Sequence, residues 1–180
     1  MIVVADTGPV AYLVLIGQID LAHALYGTLF IPPAVCRELL HPETPAAVRQ
    51  WAANLPAWAE ERPPQDTSRF TELGLGEREA ISLALELKAD WVLMDETKGR
   101  AMAIQNGIAV KGTLGLLEEA DARQLVDFPQ AIAKLQASNI YLSDDVVQDA
   151  LKRHRARHQE QRRDLQPGVG GVETPGQKSG

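Results

Sequence analysis

The stretch Trp91-Val92-Leu93-Met94-Asp95-Glu96 decides the fold. Four apolar residues run directly into an acidic pair. A short, unbroken apolar run of this kind reads as a strand buried on both faces. It follows a helical segment that closes on Lys88-Ala89-Asp90, and a second helical pattern begins at Glu96. The start of the chain repeats the arrangement, with Ile2-Val3-Val4-Ala5 followed by Asp6. In an open α/β sheet, ligands bind beyond the carboxyl ends of the strands. Asp6 and Asp95 are therefore expected to share one edge of a sheet and one site.

Working outward, strands and helices alternate. Thr7-Gly8-Pro9 turns the chain into a helix over Val10–Ile16, and a second helix covers Ile19–Tyr26 up to Gly27. Leu29-Phe30-Ile31 is a short strand, and Pro32-Pro33 opens the helix Ala34–Leu40, which carries Glu38. Thr44 reads as an N-cap before Pro45, starting a helix to Asn54, and Trp58–Glu61 reads as an edge strand. The strongest helix is Glu77–Lys88, where Ala80, Ile81, Ala84 and Leu85 keep helical spacing. Beyond the Trp91 strand come a helix over Thr97–Gln105, a strand at Ile108–Val110 and a helix Leu114–Ala122 capped by Thr113. Two more follow, from Phe128 to Ala137 and from the Ser143-Asp144 cap to Arg163. This order predicts an α/β fold with a parallel sheet between layers of helices.

Length and composition are consistent with that reading. The 180 residues fit one domain with an appendage, and 45% hydrophobic content supplies a core. A formal charge of -6 argues against a general polyanion binder. No apolar run approaches the roughly 18 residues that a membrane span needs, and no basic flank marks a signal peptide. The single Cys36 excludes an internal disulfide and reads as a small core residue. Together these features point to the cytoplasm.

Chemistry enters through the carboxylates. Asp6 and Asp95 end strands, Glu38 lies near the end of its helix, and Glu77 opens the strongest helix with Glu79 two positions on. A carboxylate near a helix C-terminus opposes the macrodipole, so Glu38 requires compensation, whereas Glu77 at an N-terminus is favoured. Several carboxylates at one point repel each other unless a cation is bound. Oxygen ligands select Mg²⁺ or Mn²⁺, the ions that support phosphodiester hydrolysis. There is no Walker loop, dinucleotide fingerprint or zinc spacing. His154 and His158 stand four residues apart but lack the Glu of a zinc-protease helix. A haloacid-dehalogenase-type phosphatase also begins with an apolar strand and an Asp, but its chemistry wants a second Asp where this chain has Gly8.

In this order and spacing, four segments resemble the PIN-domain ribonucleases, in particular a prokaryotic toxin-type branch. They are Asp6-Thr7-Gly8-Pro9, Gly76-Glu77-Arg78-Glu79-Ala80-Ile81, Leu93-Met94-Asp95-Glu96 and Lys111-Gly112-Thr113-Leu114-Gly115-Leu116-Leu117. Outside these segments, the residues themselves read as a basic C-terminal helix over 143–163 and, from their Gly and Pro content, a disordered tail over 164–180. The resemblance implies a three-layer α/β/α sandwich over residues 1–142. It implies Mg²⁺- or Mn²⁺-dependent RNA cleavage, an antitoxin protein as partner and a homodimer. Asp6, Glu38 and Asp95 match the family's acidic positions as metal ligands and catalytic residues. Glu77 matches a position that is commonly Asp, with Glu79 competing for the role. Thr7 and Thr113 match small hydroxyl positions lining the pocket. A non-catalytic module that keeps the fold is the rival reading. From Lys152 to Arg163 the last helix carries six basic residues, Lys152, Arg153, Arg155, Arg157, Arg162 and Arg163, against one acidic residue, Glu160. They are expected to contact a phosphate backbone or an acidic partner segment.

Overall fold

A computed structural model describes residues 1–138 and 142–164. Five strands form one parallel sheet: β1 (Val3–Ala5), β2 (Leu29–Ile31), β3 (Ala59–Glu61), β4 (Trp91–Leu93) and β5 (Val110–Lys111), in the order β3-β2-β1-β4-β5. The described helices are α1 (Thr7–Leu15), α2 (Asp20–Tyr26), α3 (Pro33–Leu39), α4 (Ala46–Ala53), α5 (Leu75–Leu87), α6 (Thr97–Gln105), α7 (Thr113–Ala122), α8 (Phe128–Ala137) and α9 (Asp144–Asp164). The expected three-layer α/β/α sandwich is present. The part of the tail beyond residue 164 lies outside the described residues.

The period-two alternation of the central strands sorts the core into two layers. Val3, Ala5, Leu29, Ile31 and Leu93 face one layer, packed by α1, α2, α7 and α8. Val4, Val92 and Met94 face the other, packed by α5 and the Phe70–Leu73 segment. β1 and β4 are buried on both faces, which is why their sequences are unbroken apolar runs. The edge strand β3 instead exposes Glu60 and Glu61, charges that discourage further strand pairing. Among the described residues no single helix is long and apolar enough to cross a membrane. Cys36 is buried in the first layer, as its helical position predicts.

Two caps differ from expectation. α4 begins at Ala46 with Pro45 as its N-cap, and the Thr44 hydroxyl donates instead to the Glu38 carbonyl (3.0 Å). Thr113 is the first residue of α7 rather than its cap. Its backbone N–H is satisfied by the Asp95 carboxylate, a tertiary partner that local spacing does not reveal.

α9 packs along α7 and α8, and sends Val147 and Ala150 into the main core. Its basic residues divide between two faces. Arg153 is bound to Glu118 (2.6 and 2.9 Å) and Arg157 to Asp121 (2.6 and 3.0 Å). Arg155, Arg162 and Arg163 remain exposed. Two of the six cations expected to meet a phosphate backbone or an acidic partner segment thus hold α9 to α7 instead. Asp121 is only 2% exposed and also receives His154 Nδ1 (2.9 Å) and His158 Nε2 (3.2 Å). One atom from each of these three residues lies within 4.8 Å of the others, a spacing open to a metal ion. The Arg157 fork on the second carboxylate oxygen already supplies a cation, and the group reads as a clamp.

Burial pushes the Asp121 carboxyl up, but the hydrogen bonds from Arg157, His154 and His158 outweigh it and hold the group below the ordinary range. The stability that such a group contributes is present above its unfolded pKa and is lost as pH falls through the folded value. Asp121→Asn is expected to cost roughly 3 kcal/mol at pH 7, the scale of breaking a buried pair. The gap between variant and wild type should narrow as the pH is lowered below about 4. Urea denaturation at both pH values measures it, and an unchanged gap would show that the charge of Asp121 is not what holds α9.

Candidate active site

The sheet order reverses between β1 and β4, the crevice where open α/β sheets place ligands. Register puts Ala5 opposite Leu93, and the Asp6 N–H donates to the Leu93 carbonyl (2.9 Å). Asp6 and Asp95 therefore leave the sheet side by side, at its carboxyl edge. Glu38 arrives from the last turn of α3 and Glu77 from the first turn of α5.

Each carboxylate is held differently. Glu38, the one opposed to its helix dipole, accepts hydrogen bonds from the Thr7 hydroxyl and from the Gly76 N–H (3.1 Å). These donors supply the compensation that its position requires. Asp95 accepts from the Thr113 N–H (2.7 Å) and hydroxyl (2.6 Å). Glu77 turns Oε2 back to the Gly74 N–H (3.0 Å), closing the N-terminal turn of α5. Its Oε1 is buried with no hydrogen-bond partner. Asp6 is 6% exposed, and its side chain makes no capping bond to α1.

Glu79 is excluded from the group. Its carboxylate accepts from the Ala34 N–H (2.7 Å) and pairs loosely with Arg37 (3.6 Å), so it braces α5 against α3. Of the two acids that the sequence leaves open, Glu77 is the one whose charge acts on Asp6, while Glu79 is engaged with α3. Thr7 and Thr113 each donate a hydroxyl hydrogen bond to one carboxylate, Thr7 to Glu38 and Thr113 to Asp95.

The carboxylates also act on one another. Burial pushes the Asp6 carboxyl up to about 7, and the charges of Glu38, Glu77 and Asp95 add to the shift against the opposing influence of the Thr7 backbone N–H. Burial likewise raises Asp95, partly offset by Thr113 and by the charge of Arg100. The Tyr12 phenol, on α1, is raised by burial and by the nearby Asp95. A cation at this edge would relieve the repulsion and give Glu77 Oε1 a partner. No three of the four carboxylates bring one oxygen each within 4.8 Å of one another. The arrangement is thus an open one rather than a closed protein cage.

Two glycines make room for this geometry. A Cβ on Gly76 would fall 2.7 Å from both Glu38 oxygens, and one on Gly99 would fall 2.7 Å from Glu77 Oε1 and 2.5 Å from Met94 Sδ. Gly99, Arg100 and Tyr12 went unnoticed in the sequence. A signal for Tyr12 was available, since it lies one helical turn beyond Gly8 on the face that meets Asp95.

No curated protein and no solved structure matches the chain. A family model for the PIN domain matches residues 2–156, from the first strand well into α9. PIN domains are generally nucleases, and the five-stranded parallel sheet with its acidic carboxyl edge agrees with that match. The chain belongs to the PIN-domain family.

Proposed function

We propose that this protein is a metal-dependent endoribonuclease whose site is the Asp6–Glu38–Glu77–Asp95 group, and that it serves as the toxin of a toxin–antitoxin pair. The observation that carries the nuclease reading is the uncompensated charge at the sheet edge: a buried Asp6 raised to about 7 beside three further carboxylates, one with an orphaned oxygen. The toxin role, with an antitoxin as protein partner, rests on the resemblance of the four motifs.

Asp6, Glu38 and Asp95 would hold the ion, and Glu77 would complete the site. A bound divalent ion would neutralise the group, activate water and stabilise the leaving oxygen of a phosphodiester. The protein's own part is orientation. Thr7 and the Gly76 N–H fix Glu38, and Thr113 fixes Asp95. Glu77, tethered through one oxygen, leaves the other without a protein partner and would position the attacking water with it.

The test combines thermal melting with cleavage of single-stranded RNA. A ligand that binds only the folded state adds about 2.7 kcal/mol when present at a hundred times its Kd. For a protein of this size, that amounts to roughly 5–10 °C. Millimolar Mn²⁺ should give such a rise and support cleavage that EDTA stops. If Mn²⁺ and Mg²⁺ neither shift melting nor support cleavage, the enzyme reading is lost.

A further inference from the structure

A groove of about 630 Å³ opens beside Asp95 and runs between β5, the start of α7 and the start of α9. This is within the size range, roughly 300–1,000 Å³, of clefts that take small organic ligands. Its floor is apolar, from Trp91, Val110, Leu114 and Leu142, with Val146 on the rim. Two cations line it. Lys111 is already committed, since its ammonium pairs with Glu119 and lies over the Trp91 ring (4.0 Å). Arg100 donates through Nη1 to the Met94 carbonyl (2.8 Å) and makes no ion pair among the described residues. Of the groove's two acids, Glu118 is taken by Arg153 and Asp95 by Thr113.

Arg100 and Asp95 flank Gly112. A Cβ built there would meet Asp95 Oδ1 at 2.8 Å and Arg100 Nη1 at 3.1 Å. A guanidinium without an ion pair, tied to the Met94 carbonyl, thus stands at the junction of the acidic group and an apolar groove. A chain with a net charge of -6 repels RNA as a whole, so productive binding needs a local cation. We propose that this groove holds the nucleotide next to the scissile phosphate, with Arg100 contacting its phosphate and the apolar floor receiving its base. The guanidinium suits that contact, because its planar fork matches phosphate oxygens. The apolar floor accepts a base without demanding a particular one, as aromatic and apolar platforms do for single strands. This assignment rests on the ribonuclease reading.

The experiment measures binding of a fluorescein-labelled single-stranded RNA in the Asp6→Asn background, and steady-state cleavage in the wild-type background with Mn²⁺. Arg100→Ala is expected to weaken binding about tenfold and to lower the salt slope by roughly 0.7, the loss of one phosphate contact on a single strand. In cleavage, KM should rise by a similar factor with kcat changed far less. Arg100→Lys should recover part of the loss. Val146, 43% exposed on the rim, gives a probe that leaves the core untouched. Val146→Glu should weaken RNA binding several-fold and Val146→Lys should tighten it, both with unchanged melting. Lys134→Ala, on the exposed face of α8, should change neither quantity. Unchanged binding and slope in both the Arg100 and Val146 variants would overturn the assignment, as would a loss confined to kcat. If the wild-type protein cleaves no RNA with Mn²⁺, the ribonuclease reading itself has failed. If it cleaves and the Arg100 variants cleave equally well, only the groove is at fault.

Discussion

Asp6→Asn is expected to make the metal-free protein more stable at pH 8 while cutting RNA cleavage by at least about a hundredfold. Asp6 is almost fully buried, and its carboxyl sits near pH 7 because burial, and then Glu38, Glu77 and Asp95, oppose its charge. A group raised above its unfolded value contributes stability that is full below that unfolded pKa and is lost as pH rises through the folded one. The metal-free wild type should therefore lose stability between about pH 4 and pH 8, whereas the amide has no such titration. The Asn side chain remains buried without a good partner, which offsets part of the gain, so the net benefit at pH 8 is about 1–2 kcal/mol. Mn²⁺ should reverse the order, because the wild type gains a ligand set that the variant lacks. Urea denaturation in EDTA and in Mn²⁺, with RNA cleavage alongside, measures all three effects. A variant less stable than wild type at pH 8 without metal would mean that Asp6 is well accommodated and no cation is needed.

Asp95 should behave differently, although it ends the neighbouring strand. Its carboxylate receives both donors of Thr113 and so fastens the start of α7. Asp95→Asn would present an N–H₂ group to one of those donors, and the relief of repulsion is offset by the weakened anchor. The stability gain on removing charge is therefore expected at Asp6 and not at Asp95, a distinction that only the tertiary partners reveal.

That contrast marks how far the sequence carries. The two strand ends were legible because β1 and β4 are buried on both faces, and continuous apolar runs leave little else to read. Glu38 was legible through the cost of its position, a negative charge at a helix C-terminus. The choice between Glu77 and Glu79 was not, since both lie in the first turns of the same helix. Glu79 finds its partner at the N-terminus of α3, and nothing local to α5 announces that contact. A local clue did exist, because Glu77 stands three residues after Gly74, where a side chain can return to the N-cap N–H. The clamp on α9 was hidden for the same reason as Glu79. Arg153 and Arg157 are one turn apart and look like a solvated basic face until α7 is known to set Glu118 and Asp121 opposite them.

Gly76→Ala is expected to abolish most cleavage with little change in stability. Alanine in a helix is ordinarily favoured over glycine by about 1 kcal/mol, and Gly76 lies in the first turn of α5, so propensity alone predicts a slightly firmer protein. The new methyl group, however, would stand 2.7 Å from both oxygens of Glu38. Those oxygens are the far end of a flexible side chain on the exposed rim of α3, and they can swing away at small cost. The swing breaks the bonds to Thr7 and to the Gly76 N–H that aim Glu38 at the site. A displacement of about 1 Å in a catalytic group costs on the order of a hundredfold in rate. Melting should stay within a few degrees of wild type, the Mn²⁺-induced rise should shrink, and cleavage should fall by roughly that factor. Glu38→Ala supplies the control. If Gly76 acts only by leaving room for Glu38, the double variant cleaves no worse than Glu38→Ala alone, because the two changes remove the same interaction. Additive losses would mean that Gly76 serves the site in some other way, and wild-type cleavage by Gly76→Ala would remove the aimed Glu38 from the reaction.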